Sequence, residues 1–291
     1  MSVTTVELKP SLRIAGTGYE RHASGVCDLY MTIGPTGFSC ASTSPSARRF
    51  LSFEHWESDQ PLTNSMLDQI FAGSTLLQPS HPYRKVHCNL HGKETMFIPS
   101  SLFDASNLKE QMQLAFGDSV SEKFIQSEEL PMMQIYNCYT CNPKILSAIS
   151  SLYRHTEFHH VSATRLRYLS AISGPGKEVL VLIDLEGTEM NITAVKSSSL
   201  LFYNSFEFKT PEELTYYMLL VFEQLKLNPE TVEVFFTGNT HKEDAAFQLA
   251  SKYVANCRLA GLPGVYTYES EFSFLDANRH FNLFCGPVCV S

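Results

Sequence analysis

The sequence predicts an α/β chain folded as two related halves, each a mixed β-sheet with helices packed on it. Three observations predict this. Residues 32–42 (TIGPTGFSCAS) and 184–195 (DLEGTEMNITAV) share one outline: an apolar strand, a turn at Gly, and an alternating return strand. The order strand, strand, strand, helix, strand recurs around both. The tripeptide Ser-Phe-Glu also stands at 52–54 and 205–207, in the third strand of each copy, at a separation that matches the hairpins to within a residue.

In the first half, residues 28–34 (DLYMTIG) and 37–43 (GFSCAST) read as strands joined at Gly34-Pro35, and 48–56 (RRFLSFEHW) as the third. Residues 62–73 follow as a helix closed by Gly73, and 84–90 (RKVHCNL) as the next strand. Two insertions come next. Residues 98–117 carry a helix from about 107 to 116, ended by Gly117. Residues 130–155 give a strand and then a helix with Asn142 as cap and Pro143 at its first position. Residues 161–177 carry the chain into the second half, with 173–177 (SGPGK) expected as hinge or loop.

The second half reads more clearly. Residues 178–185, 190–197 and 200–208 are strands, and 231–238 (TVEVFFTG) is a buried one. Between the last two lies the strongest helix signal. Thr210 is its cap, Pro211 suits its first position, Glu213 completes a capping box, and Asn228-Pro229 stops it. Leu214, Met218, Val221 and Leu225 form its apolar face. A further helix is expected after Thr240 and Glu243, a second capping box, with Ala246, Leu249, Ala250 and Tyr253 turned inward.

At 291 residues, 44% hydrophobic and 12% aromatic, the chain has material for a full core. A net charge of −8 provides no positive field to gather phosphates, so nucleic acid is not an expected partner. Residues 1–13 lack the apolar core of a signal peptide, and runs such as 179–183 and 216–222 are too short to span a bilayer. No transmembrane segment is therefore expected. Eight cysteines without the spacing of a secreted scaffold read as reduced, mostly buried thiols, and a cytoplasmic location is the expectation.

Residues 96–104 (MFIPSSLFD) and 182–206 (LIDLEGTEMNITAVKSSSLLFYNSF), together with the duplicated order of elements, carry a resemblance. The chain resembles the actin-like ATPase superfamily, on the bacterial side that includes the pilus-assembly protein PilM. More narrowly, it resembles an uncharacterised bacterial family of about this length. The resemblance implies two ribonuclease-H-like subdomains facing a cleft: residues 1–165, with the inserted helical segments, and residues 166–291. In functional members ATP lies between the halves. Each hairpin then supplies an Asp that orients magnesium, and a Gly whose turn lets backbone N–H groups approach phosphate.

On that pattern the acid of the first hairpin is Thr32, followed by Gly34 and Thr36. The second hairpin keeps Asp184, but Glu186 stands where the first turn Gly is expected, ahead of Gly187 and Thr188. The adenosine element has one Gly, Gly238, before Asn239, where a Gly pair is usual. Thr32 cannot supply the anionic charge that organises magnesium. A carboxylate at 186 repels phosphate, by about 4 kcal/mol for two unit charges 4 Å apart at an effective dielectric near 20. The simpler reading makes Gly34-Pro35 and Glu186-Gly187 ordinary hairpin turns and Asp184 a strand-end cap. The expectation is a non-catalytic, degenerate homologue acting as a protein-interaction or assembly factor. The alternatives are a Mg-ATP-binding switch or weak ATPase, with ATP and Mg as cofactors, and a small-substrate kinase.

Other chemistry is thin. Cys138 and Cys141 form a CxxC ahead of the Pro143 helix, where a thiol pKa would be lowered for redox or metal work. No second CxxC completes a zinc site, and buried thiols are expected. His155, His159 and His160 offer helical spacing without an HExxH pattern or a carboxylate partner, and His87 and His91 flank a strand end. A structural or exposed role is expected for all five. The Gly-rich stretch 16–25 precedes a strand, so it reads as a flexible approach rather than a phosphate loop.

Overall fold

The structure, a computed structural model, describes residues 8–16, 25–78, 82–174 and 178–289. Near-continuous burial along the central strands of the two larger sheets marks these strands as covered on both faces. The first sheet begins with β1 (Leu12–Ala15), the hairpin β2 (Asp28–Ile33) and β3 (Gly37–Ser44), and β4 (Arg49–Glu57). Thr63 caps helix α1 (Asn64–Gly73) by accepting from the Met66 N–H, and β5 (Lys85–Leu90) returns parallel to β2.

The insertion forms a small antiparallel sheet of its own. Strands β6 (Thr95–Pro99), β7 (Phe124–Leu130) and β8 (Ile135–Cys141) lie in the order β6-β8-β7, with α2 (Leu108–Phe116) between the first two in sequence. Asn142 then caps α3 (Pro143–Leu152), its Oδ1 accepting from the Lys144 N–H at 2.9 Å. Strand β9 (Thr156–His160) lies parallel to β5, and α4 (Val161–Ile172) crosses to the second sheet. There follow β10 (Leu180–Glu186), β11 (Glu189–Lys196), β12 (Ser199–Glu207), α5 (Pro211–Leu225), β13 (Glu233–Gly238), α6 (Ala245–Ala250) and β14 (Asn256–Leu259). Strand β15 (Thr267–Tyr268) returns to pair with β4, and α7 (Phe281–Phe284) follows it.

The strand order β4-β3-β2-β5-β9 in the first sheet repeats as β12-β11-β10-β13-β14 in the second. In each, an antiparallel meander is extended by two parallel strands. Both copies also carry a register irregularity in the middle strand, at Ser42/Thr43 and at Ala194/Val195. The outer face of the second sheet packs Val181, Ile183 and Phe236 against Leu214, Met218 and Val221 of α5 and Phe247 of α6. The first sheet does the same with Leu29, Met31 and Phe38 against Leu67, Ile70 and Ile149. The opposite faces turn toward α4 and the C-terminal segment, where Ala163, Leu166 and Leu169 meet Leu180, Leu182 and Phe281.

Some expectations need correction. Residues 161–172 are helix rather than connection, because eight of the side chains of α4 find buried surroundings there. The capping box at Thr240 and Glu243 does not form. Thr240 is buried, its carbonyl accepts from Asn278 Nδ2 at 2.7 Å, and α6 starts later, behind Asp244. Tyr253 lies past that helix and is exposed, while Phe247 fills the core position. Residues 17–24 of the Gly-rich stretch and 175–177 of the expected hinge lie outside the described residues.

The N-terminus of α5 follows its sequence closely. Thr210 Oγ1 accepts from the Glu213 N–H at 3.2 Å, and Glu213 Oε2 accepts from the Lys209 N–H at 2.7 Å. Replacing Thr210 by Ala is expected to cost about 1 kcal/mol in urea-unfolding free energy with an unchanged slope.

Candidate functional site

Alternation along a strand decides what faces the space between the sheets. In β2, Leu29, Met31 and Ile33 join the outer core, so Thr32 turns inward. In β10, Leu180 and Leu182 pack on the α4 side, so Asp184 does too. A cavity of about 100 Å³ lies between, lined by Thr32, Gly34 and Thr36 from one half and Glu186 and Asn239 from the other. His55, Glu57, His91, Arg279 and His280 also line it. Asp184 and Gly238 are buried behind this surface, while Gly187 and Thr188 are exposed at the hairpin tip and do not line it. Pockets that hold drug-sized ligands run to about 300–1,000 Å³, several times this volume.

Asp184 has its own partners. Arg165 Nη1 lies 2.7 Å from Asp184 Oδ2, an ion pair by distance whose angle is not that of a hydrogen bond, with 1% and 2% of the two side chains exposed. Thr237 Oγ1 donates to the other oxygen, Oδ1, at 2.8 Å. Arg165 comes from α4, whose first turn is fixed by His160: its Nδ1 accepts from the Ser162 N–H at 3.2 Å. The neighbouring Thr164 reaches the other way, donating to Asn89 Oδ1 on β5 at 3.0 Å. Two consecutive residues of one helix thus hold both sheets. Thr32 Oγ1, the counterpart of the Asp184 carboxylate, is buried without a hydrogen-bond partner.

The remaining charges nearly cancel. Glu57 pairs with Arg279 across the cavity wall. Burial and the Arg279 charge push His55 down to about 4, and its Nδ1 lies 2.8 Å from Ser39 Oγ. His280 stands edge-on to His55 at 4.5 Å and is pushed down to about 2 by burial and by His55. Burial and the Arg165 charge likewise bring His91 down to about 4. The imidazoles are therefore neutral at pH 7. Burial, reinforced by Asp184, raises Glu186 to about 7. Such a cavity has no surplus of positive charge to attract a triphosphate.

Several of its backbone donors are also engaged. Gly238 has φ +81°, and a Cβ there would meet Leu185 O at 2.1 Å, so the close approach of β13 to β10 alone demands glycine. The N–H groups of Gly238, Asn239 and Thr240 donate to Asn278 O, Leu185 O and Gly238 O at 2.9, 2.8 and 3.0 Å. In the first hairpin the Gly34 N–H closes the turn onto Gly37 O at 2.8 Å, and Pro35 has none to offer.

The CxxC lies within β8 rather than at a helix N-terminus. Cys138 packs with Met112 and Val120 on one face, Cys141 with Ile149 on the other, and burial raises them to about 12 and about 11. These thiols are inert and cannot pair with each other. His159 and His160 lie in a strand, so helical spacing does not apply to them, and His155 sits in the turn before it. A carboxylate partner does exist: Glu128 Oε2, on β7, lies 3.0 Å from His159 Nδ1. No local pattern announced it, because it arrives from another sheet.

Comparison with known proteins fits this geometry. A family model described as a protein of unknown function (DUF3822) matches residues 18–257. A solved protein of Bacteroides thetaiotaomicron, described as having an actin-like ATPase fold and unknown function, superposes with a TM-score of 0.71 at 20% identity. That match covers 81% of this chain and 91% of the other. A PilM–PilN type IV pilus biogenesis complex matches with a TM-score of 0.53 at 11% identity, covering 90% and 96%. No curated protein matches the sequence. The fold is the actin-like ATPase fold, as the sequence resemblance implied. Among the described residues no helix is long and apolar enough to cross a membrane.

Two outcomes follow from the buried charges. Arg165→Met leaves Asp184 buried and unpaired and is expected to cost about 3–5 kcal/mol in unfolding free energy. The double variant Arg165→Met/Asp184→Asn should recover much of that loss. Glu186 holds its proton more tightly folded than unfolded. Its favourable contribution is therefore full below the ordinary carboxyl range and lost as pH rises through about 7. Glu186→Gln should accordingly raise the thermal midpoint near pH 8 relative to the parent and change it little near pH 4.

Proposed function

The chain belongs to the DUF3822 family, and from that premise we propose that it is a nucleotide-independent member of the actin-like fold that works by holding a protein partner. One observation carries the first part: the buried Arg165–Asp184 pair. In ATP-using members, by the resemblance, this acid orients magnesium. Here a fixed guanidinium already supplies the positive charge, and a hydroxyl holds the second oxygen. A magnesium ion would have to displace Arg165 and leave it buried without its counter-ion, at a cost of several kcal/mol. The neutral Thr32, the Glu186 carboxyl in the phosphate path and the 100 Å³ cavity support the same reading. Mg-ATP does not suit this residue set, and no catalytic step is assigned to it.

The partner half of the proposal draws on PilM, which shares the fold and was solved in complex with PilN. It also draws on Leu102, Leu114, Phe124 and Met132, large apolar side chains left exposed on and beside the inserted three-stranded sheet. Solvent-exposed apolar groups gathered on one appendage suit contact with another protein.

Thermal unfolding of the purified chain with millimolar Mg-ATP tests the first part. The midpoint is expected not to move. A ligand at about 100 times its dissociation constant would add about 2.7 kcal/mol, and a rise of that kind, lost in Asp184→Ala, overturns the reading. The second part expects a co-purifying protein that is retained by the parent and lost from Leu114→Lys/Met132→Lys. Equal recovery with both counts against this surface.

A further inference from the structure

A second constellation lies at the edge of the first sheet, away from the residues that line the cleft. Strand β9 is the edge strand and pairs in parallel with β5, His87 opposite Glu157 and Asn89 opposite His159. Side chains two apart on a strand share a face, so Glu157 and His159 both project on the side that His87 occupies. One nitrogen or oxygen from each of the three lies within 4.8 Å of the others. His87 Nδ1 stands 3.3 Å from Glu157 Oε2, and His159 Nε2 stands 4.0 Å from the same oxygen. Ligand atoms bound at 2.0–2.1 Å to a tetrahedral zinc are about 3.3 Å apart. One of the three pairs already has that spacing. A second closes through Glu157, whose side chain is 46% exposed and has room to move. The two imidazole nitrogens, within 4.8 Å of each other, must draw together as the metal binds.

The imidazoles are prepared for such a role. Both ring nitrogens of His87 and the Nε2 of His159 are buried with no hydrogen-bond partner, and His87 is only 2% exposed. Leaving such atoms unsatisfied costs free energy that a ligand would recover. Tyr30 stacks on the His87 ring at 4.7 Å and holds its plane. His159 Nδ1 meets Glu128 Oε2 at 3.0 Å, and Arg167 fixes that carboxylate at 2.9 Å. Arg167 Nη1 stands 3.4 Å from the same Nδ1 and competes for it. Where Nδ1 donates to Glu128, the Nε2 of His159 is left with a lone pair, the carboxylate–histidine arrangement that orients metal ligands. A cavity of about 10 Å³, room for about one water-sized sphere, adjoins His87 and His159, but it is lined by Arg167 as well and not by Glu157, which must swing toward it. Against these stands Lys85, whose Nζ lies 3.8 Å from Glu157 Oε1 and would have to give up that contact or share it.

We infer that His87, Glu157 and His159 form a binding site for a zinc-like divalent transition metal, with Glu128 positioning His159 and water as the fourth ligand. Two imidazoles and one carboxylate select zinc or cobalt over magnesium, which prefers an all-oxygen octahedral shell. The metal would clasp the edge strand β9 to β5.

The test is calorimetric titration of the chelator-treated full chain with zinc, alongside visible absorption of its cobalt(II) form. The expected result is one equivalent per chain, no heat with magnesium, the intense bands of tetrahedral cobalt, and a raised thermal midpoint. Glu157→Gln and His159→Gln should each weaken zinc binding by at least about 10-fold, and Glu128→Gln by about 10- to 100-fold. His155→Gln should leave it unchanged. Glu157 is exposed enough that its variant should keep the fold, and the cobalt spectrum reads the site in the unmodified chain. An absence of saturable zinc binding, an octahedral cobalt spectrum, or an affinity untouched by Glu157→Gln and His159→Gln overturns the assignment.

Discussion

The contact between Arg165 and Asp184 joins a helix that belongs to neither sheet to the end of a central strand, in a place almost without solvent. A buried ion pair is weak evidence for net stability, since desolvation consumes most of the attraction. Its value here is positional. Apolar packing of Leu166 and Leu169 would tolerate α4 sliding or rotating by a fraction of a turn. A guanidinium that must meet one carboxylate will not. Because Thr164 meets Asn89 on the other side, and Asn89 Nδ2 in turn donates to Asn282 O at 2.9 Å, one polar chain runs from the first sheet through α4 to the second. It joins the two sheets alongside the apolar packing of α4.

This also explains why the two hairpin heads differ. By topology Thr32 and Asp184 are equivalent positions of a repeated unit, each inward-facing at the end of a central strand. Among the described residues only the second is paired with a cation. An anion at position 32 would face the neutral ring of His55 and the already paired Arg279 across a cavity of low net charge. The acid at 184 is accounted for by Arg165 and Thr237 without any ligand, as the glycine at 238 is accounted for by Leu185.

The fold was legible wherever periodicity was simple. The meander strands and α5 follow from alternation, caps and stop signals. Helix α4 was not legible, because it is buried on several sides and therefore has no single apolar stripe, and because the β-branched Val161 and Thr164 are poor helix signals out of context. Of the residues named from the order of elements, Thr32, Gly34, Thr36, Glu186 and Asn239 line the cavity, while Asp184, Gly187, Thr188 and Gly238 do not. His55, Arg279 and His280 could not be named in that way, since the last two come from a C-terminal segment with no motif of its own. Cys138 and Cys141 are buried as expected, whereas the helical spacing offered for His155, His159 and His160 does not apply, because His159 and His160 lie in a strand and side chains there alternate between faces. The Glu128 and Glu157 neighbours of His159 could be seen only once β7, β8 and β9 were placed.

The outer edge of β4 is shared by two short strands from opposite ends of the chain, β1 along residues 52–55 and β15 at Arg49 and Phe50. The Thr267 hydroxyl that meets Arg48 O there lies 219 residues away in sequence. Loop closure of that length is not thermodynamically severe, since each doubling adds only about 0.6 kcal/mol, but the partner must exist before it can close. On a ribosome the whole second sheet emerges before residue 267 does. For that interval β4 presents open backbone groups beside β1, the kind of unfinished edge that invites pairing with a neighbouring chain. The first half is made early and sealed last, and its safest route to the native state passes through rapid completion of the second.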